Sequence, residues 1–496
     1  MRKAQKNQAE EFLKVLEEAH GQIRAMAEKK NVSAVLEILE DCQQGALSLG
    51  NMIETAEGEG CAVIPLLERY CELVWQFYEE LSQGKALNGN KMHKLLRSFL
   101  LKIENSVRND IKVRVEAVFL PYKASMWDSL ESIWKAADAD PDCDAYVIPI
   151  PYYDKNPDGS FREMHYEGSL YPADVPVMWY GNYDFEKRRP DMIYIHNPYD
   201  KYNYVTSVHP DFYSENLKRY TDNLIYVPYF MCGYYSSEES AQKHIPPCIQ
   251  NIDYMVVQSK LHKKLMGIND YMNKKLLVLG NPKADRVLNM PDDLPVPQEW
   301  IDKSEDKFVI LLNSTILRLL RVNDWAERTN HLLDLIESRN DLFLIWRPHP
   351  LLLSTVESMV PYKKNEFMEV YDRIAAMEYA VIDTNPTVDC ALKYSDCLIS
   401  TYSSIVMQYT LTGKPALLIT GYSKYRDTRQ VCFDFFSNYF MKDGVSFENF
   451  IEIVVEGNDY KKDVRIKNSR ESIENSDGTC GLKIHKHMIS EYLNLL

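Results

Sequence analysis

A chain of 496 residues is too long for one ordinary hydrophobic core, so two or three domains are expected. Its 45% hydrophobic and 26% charged residues exclude a largely disordered protein, and a formal net charge of −15 argues against a nucleic-acid groove, which needs a basic face. Ten cysteines without a C-x-x-C pair indicate neither a zinc ribbon nor a disulfide framework, and reduced thiols fit an intracellular protein.

Residues 1–108 carry almost no strand signal. Phe12, Leu13, Leu16, Ile23 and Met26, then Val35, Leu36 and Leu39, recur at helical spacing, and 66–81 and 93–103 continue the pattern. An all-helical N-terminal domain is expected; no clean heptad repeat persists, which favours a packed domain over a dimerising arm, although such a region also offers a route to a homo-oligomer. The opening residues lack the apolar segment of a secretory signal, and no apolar run approaches the roughly 20 residues of a membrane span. Membrane contact is expected to be peripheral at most.

Residues 109–290 read as a first α/β domain. Strands are expected at 113–120, 146–150, 192–195, 224–227, 254–257 and 276–279, with a helix over 126–137 whose Ser125 and Asp128 resemble a capping box. The tyrosine-rich stretch 151–190 is too long for an ordinary connector and reads as an inserted flap. Three prolines in 291–297 suggest a linker, after which strands at 308–312, 342–346, 381–382, 397–400 and 416–419 alternate with helices such as 325–337. The fold class is therefore α/β, with two Rossmann-like domains (109–290 and 291–496, the second with terminal helices) facing across a cleft behind the helical region.

The second domain carries the chemistry. Asp396 to Pro415 reads as a strand, a hydroxyl-rich turn and a helix, so that Ser403, Ser404, free backbone N–H groups and the helix dipole would face a phosphate; simple capping of the helix by either serine is the competing reading. The 342–346 strand runs into Arg347-Pro348-His349-Pro350, where Arg347 offers a phosphate fork and His349 can exchange a proton near neutral pH. A plain surface turn would also account for this loop. Asn313 and Ser314 follow the 308–312 strand and join the same donor phosphate-binding set. No cluster with metal-ligand spacing appears.

These segments, with the run Gly280 to Arg286, resemble the C-terminal half of the CDP-glycerol glycerophosphotransferase family over roughly residues 250 to 425. The resemblance implies a GT-B scaffold, a CDP-activated polyol-phosphate donor such as CDP-glycerol with no other cofactor, and a cell-envelope polymer or lipid-linked acceptor. By the same resemblance His349 is the catalytic or phosphate-contacting histidine, Ser403 and Ser404 contact the donor pyrophosphate, and Lys283 is the basic residue of a Gly-x-Pro-Arg motif. Thr401 stands where the family usually has Asp, and Lys283 where it has arginine. The family's His-Gly pair is replaced by Pro228-Tyr229-Phe230, which leaves His196 as first substitute base and Asp200 as second. A sugar-nucleotide-dependent glycosyltransferase and a catalytically inactive GT-B-like binding or assembly protein are the competing readings.

Overall fold

The structure, a computed structural model, describes residues 1–86, 88–156, 158–235, 237–315, 324–349, 352–419 and 431–494. The chain divides into two compact units, Met1–Glu116 with Asp140–Asp144 and Ala117–Ala139 with Ala145–Leu496. In the first unit four helices, α1 (Lys3–Glu28), α2 (Val32–Glu57), α3 (Ile64–Ser82) and α4 (Gly89–Asn109), each pack on their sequence neighbours, and α1 closes on α4. The apolar stripe explains the packing. Along α2, Val35, Leu39, Cys42, Ala46, Leu49 and Ile53 are buried at spacings of three and four, which keeps them on one face. Asn31 and Asn88 start α2 and α4 by accepting from the backbone N–H groups of Ala34 and Lys91.

After the four helices the chain forms two six-stranded sheets. The first contains β1 (Val115–Leu120), β2 (Cys143–Val147), β5 (Met192–Ile195), β7 (Asn223–Tyr226), β8 (Tyr254–Val257) and β9 (Leu276–Val278), in the order β2-β1-β5-β7-β8-β9. The second contains β10 (Phe308–Ser314), β11 (Leu342–Pro348), β12 (Ala380–Ile382), β13 (Cys397–Ser400), β14 (Ala416–Leu418) and β15 (Tyr439–Phe440), in the order β12-β11-β10-β13-β14-β15, parallel throughout. Its strands are buried on both faces. Ile310, Leu312, Leu344 and Trp346 point into one core and Leu311, Phe343 and Ile345 into the other, which is why they read as unbroken apolar runs.

Several expectations shift. The 126–137 segment is a 3₁₀ turn, Ala124–Ser129, followed by a helix over Glu131–Asp138, and no side chain caps either start. A tertiary partner has taken one of the two expected capping groups: Asp128 pairs with Lys283. The strand expected at 146–150 instead spans Cys143–Val147. The insertion carries β3 (Tyr152–Lys155) and β4 (Phe161–His165), which join β6 (Thr206–Val208) in a three-stranded antiparallel sheet ordered β4-β3-β6. The two-residue strand β15 had no sequence signal.

The last helix, Cys480–Asn494, packs against the helix Glu131–Asp138 of the N-terminal half rather than staying with the C-terminal one. Asp285 accepts from the N–H groups of Cys480 (3.0 Å) and Gly481 (2.7 Å) at its start, and Tyr492 donates to Asp191 at 2.5 Å near its end. Gly481 permits the approach. A Cβ there would lie 2.3 Å from the Ser132 carbonyl carbon and 2.6 Å from the Ile133 nitrogen.

Candidate active site

The second sheet reverses its direction of winding between β10 and β13: the chain lays β11 and β12 on one side of β10, then returns to lay β13 to β15 on the other. A crevice opens at such a switch point beyond the carboxyl ends of the strands. Register brings the candidate residues there together, with Asn313 of β10 opposite Arg347 of β11 on one side and Ser400 of β13 on the other. Asn313 donates to Ser400 Oγ (2.9 Å) and Ser403 Oγ (3.2 Å), so one amide ties two strands to the turn that follows.

That turn leads into the helix Ser404–Leu411. Ser403 occupies its N-cap position in an extended conformation (φ −160°, ψ 170°), and its side chain makes no cap bond. With the serine hydroxyl held by Asn313, the first N–H groups of the helix have no side-chain cap. This end of a helix binds anions, because unpaired N–H groups and the positive pole of the dipole point the same way. Ser314 is less available: its Oγ accepts from Trp346 Nε1 at 3.0 Å and is buried.

Arg347 and Lys283 were expected as free cations, and the structure engages both. Arg347 is buried, donates to Asp383 Oδ2 at 2.5 Å and donates again to the Asn385 carbonyl at 3.1 Å. Its fork therefore fastens the loop after β12 to the end of β11. Lys283 is buried and ion-paired with Asp128 from the N-terminal half. Three residues on, Arg286 joins the halves by bonding Asp389 (2.8 and 2.9 Å) and approaching Glu131 at 3.4 Å. Neutralising partners hold each of these charges in place. The glycine that opens the 280–286 run is needed for shape: Gly280 has φ +103°, and a Cβ would meet the Glu474 carbonyl oxygen at 2.1 Å.

His349 stands at the exposed end of β11, its backbone N–H bonded to the Ser314 carbonyl at 3.0 Å. Desolvation by the protein atoms around its ring lowers its pKa below the usual 6.5, which favours the neutral form near pH 7. His196 is placed quite differently, following β5 at the winding reversal of the first sheet between β1 and β5. It is fully buried. Nε2 accepts from the Tyr122 backbone N–H at 3.0 Å, which assigns the ring proton to Nδ1, donating to Ser129 Oγ at 3.1 Å. Burial drives its pKa to about 3. With both nitrogens occupied and no solvent path, the ring splices the ends of β1 and β5, which corrects the expectation of a base here. Asp200 is likewise internal, accepting from Ser214 N (2.9 Å) and Oγ (2.5 Å). Tyr229, from the triplet in place of His-Gly, lies edge-on to His196 with ring centroids 6.4 Å apart.

Sequence reasoning passed over two groups at the carboxyl ends of the second sheet, Thr315 and Arg328. Thr315 and Thr401 share a hydroxyl hydrogen bond of 2.7 Å across β10 and β13, and Arg328 lines the same water-sized hollow of about 20 Å³. The Thr401 pairing explains a hydroxyl where a carboxylate was expected. Arg328 has no motif around it and is brought in only by its helix, Trp325–Glu337, lying on β10 and β11. A larger cavity of about 430 Å³ lies on the other side of Tyr402, between that residue and the loops after β5, β7 and β8. Among the described residues there is no cluster of three His, Cys, Asp or Glu side chains that could hold a metal, and no helix long and apolar enough to cross a membrane.

Comparison with known proteins gives one family. Its model, described as CDP-Glycerol:Poly(glycerophosphate) glycerophosphotransferase, matches residues 233–488. No curated protein sequence matches the chain. Among solved structures, a Listeria monocytogenes protein assigned as a UDP-N-acetylglucosamine 2-epimerase is 12% identical, with a TM-score of 0.50 over 77% of this chain and 98% of that one. An S. aureus MnaA–UDP co-structure (13% identical, TM-score 0.49, 77% of this chain and 98% of that one) and the wall teichoic acid polymerase TagF (13%, 0.47, 86% and 99%) are also similar. At such identity the Listeria likeness is one of fold: two Rossmann-like halves.

Proposed function

Because the chain belongs to the CDP-glycerol:poly(glycerophosphate) glycerophosphotransferase family, we propose that it binds CDP-glycerol at the switch point of its C-terminal half and passes the glycerol phosphate to a hydroxyl of a cell-envelope polymer or lipid-linked carrier. The observation that supports this reading is the start of the helix Ser404–Leu411, without a side-chain cap, beside Asn313 and Ser403. The donor pyrophosphate lies against those N–H groups with the Ser403 and Ser404 hydroxyls beside it, while Arg328, ion-paired with Asp324, stands at the neighbouring hollow. The acceptor oxygen attacks the β-phosphorus, a new P–O bond forms, and the anhydride P–O bond breaks. CMP leaves with the bonding pair, and the acceptor hydroxyl loses its proton to His349, neutral because of its desolvated ring. Fixed N–H dipoles aimed at the transferring phosphoryl oxygens stabilise the charge that develops there. Arg347, Lys283 and His196 act as positioning residues, since their polar groups are already bonded to protein partners. A lipid-linked acceptor would bring the enzyme to the inner face of the membrane as a peripheral protein.

Thermal stabilisation by CDP-glycerol, CDP-ribitol, CMP and a set of UDP- and GDP-sugars tests the donor assignment. A ligand at 100 times its Kd stabilises by about 2.7 kcal/mol. Cytidine ligands are expected to stabilise selectively, and His349→Ala to weaken the CDP-glycerol response. A stronger response to UDP- or GDP-sugars would transfer the reading to glycosyl transfer.

A further inference from the structure

The four helices of the first unit divide their charge unevenly. α2 and α3 together carry nine acidic side chains against one basic, Arg69, whereas α4 carries five basic against one acidic, Glu104. Between α2 and α3 the surface opens into a groove of about 670 Å³. Helical spacing builds its two walls. Gln43, Leu47, Gly50 and Glu54 follow at steps of four, three and four along α2, and Ile64, Glu68, Glu72 and Trp75 at four, four and three along α3, so each set shares one face. From Gln43 to Glu54 the wall runs about 16 Å, or about three turns of helix.

The floor is apolar and the rim is acidic. Ala46 and Leu67 at the bottom belong to the bundle core, while Leu47 and Trp75 stay 48% and 53% exposed. Gly50 keeps the floor open: a Cβ there would stand in ordinary contact with Leu67 at 3.8 Å, so its missing side chain leaves room above the core. Trp75 is steadied by Tyr78, the rings stacked at 15° with centroids 5.8 Å apart. Among the described residues no lysine, arginine or histidine lines the groove, and Glu54, Glu68 and Glu72 have no cation paired with them.

We infer that this groove docks a cationic amphipathic helix of a partner protein. Charge selects the class. A nucleic acid, a phosphodiester polymer or an anionic bilayer is repelled by three unneutralised carboxylates, whereas a helix bearing lysines or arginines brings the missing countercharge. Apolar side chains at i, i+3 or i+4 and i+7 of such a helix would lie on Leu47, Ile64 and Trp75, and its flanking cations would reach Glu54, Glu68 and Glu72. The Trp75 ring offers one of those cations an aromatic face. A second copy of this chain fits less well. Its basic helix, α4, already buries its apolar stripe of Met92, Leu96, Leu100, Ile103 and Val107 in the bundle, so it could not turn that face to the groove without unfolding. The groove lies outside residues 233–488, where the family match falls, and the inference does not rest on the transfer reaction.

The test uses the full chain and three fluorescein-labelled synthetic peptides of about 18 residues, read by fluorescence anisotropy. One places leucine and lysine at amphipathic helical spacing, one scrambles the same residues, and one replaces lysine by glutamate in the amphipathic order. The amphipathic lysine peptide is expected to bind at least about tenfold tighter than either of the others. Trp75→Ala, which removes part of one wall, and Gly50→Leu, which fills the floor, are each expected to weaken it about tenfold. Glu68→Gln combined with Glu72→Gln is expected to weaken it and to flatten its salt dependence. Thermal melts check folding. Trp75 is half exposed, so Trp75→Ala keeps the fold and decides the matter if Gly50→Leu does not. Equal affinity for the scrambled peptide, tighter binding of the glutamate peptide, or an affinity unchanged in Trp75→Ala overturns the inference, because bulk charge or another surface then does the binding. Absence of binding by all three peptides overturns it as well. So does self-association, followed by sedimentation velocity, that Trp75→Ala abolishes, since the groove would then belong to a second copy.

Discussion

Replacing His196 with alanine separates a structural histidine from a catalytic base through the pH dependence of stability. In the folded protein the Tyr122 backbone N–H is buried against Nε2. Its loss leaves that donor unsatisfied, at a cost of about 1–3 kcal/mol, and the missing ring adds a cavity, so the variant should be about 3 kcal/mol less stable at pH 7. The protonation linkage runs in a definite direction. Burial lowers the His196 pKa from 6.5 to about 3, so between those values the unfolded chain binds a proton that the folded chain does not. The ring's contribution is complete above pH 6.5 and is lost as pH falls, by about 1.4 kcal/mol per unit until about pH 3. From pH 7 to pH 5 the wild type therefore loses about 2 kcal/mol through this group alone, and the gap to His196→Ala shrinks from about 3 to about 1 kcal/mol. His262 titrates in the same direction but is present in both proteins, so the difference isolates His196. Urea unfolding at the two pH values, followed by the fluorescence of Trp127 and Trp134 near the site, measures it. A gap that stays constant with pH, together with a kcat loss above about 100-fold at unchanged stability, would refute the argument and restore the base.

Asn313→Ala removes the bonds to Ser400 and Ser403 and should raise the CDP-glycerol KM about five- to tenfold, read from initial rates of CMP release. Gly481→Ala drives a Cβ into the Ser132–Ile133 backbone and should destabilise by about 1–3 kcal/mol in thermal melts, with little change in donor KM. Lys283→Met and Asp128→Asn each break the inter-half pair, and a double-mutant cycle on stability should show a coupling of about 1–3 kcal/mol; zero coupling would mean the pair is incidental. With His349 as proton acceptor, kcat/KM should fall as pH drops through a value below 6.5, because protonation removes the base, and that limb should vanish in His349→Ala.

What the sequence determined by itself is the local pattern. Buried parallel strands are apolar on both faces and helices are apolar on one, so 308–312, 342–346 and 397–400 announce themselves, as does the alternation that makes two Rossmann-like halves. The hydroxyl-rich turn before Ser404 and the histidine after β11 were legible for the same reason, since each follows a strand end directly. Only the tertiary structure decided what the polar side chains are for. Arg347 faces Asp383, Lys283 faces Asp128 from the other half, and His196 meets the N–H of Tyr122, 74 positions away. Nothing within a few residues of any of them reports the partner. Desolvation makes an unpaired buried charge or donor costly, so the fold selects partners by proximity in space, whatever their separation along the chain. The tyrosines show the same division. Their number was plain from the sequence, but it is the approach of Tyr402 to the loops after β5, β7 and β8 that gathers five of them around one cavity.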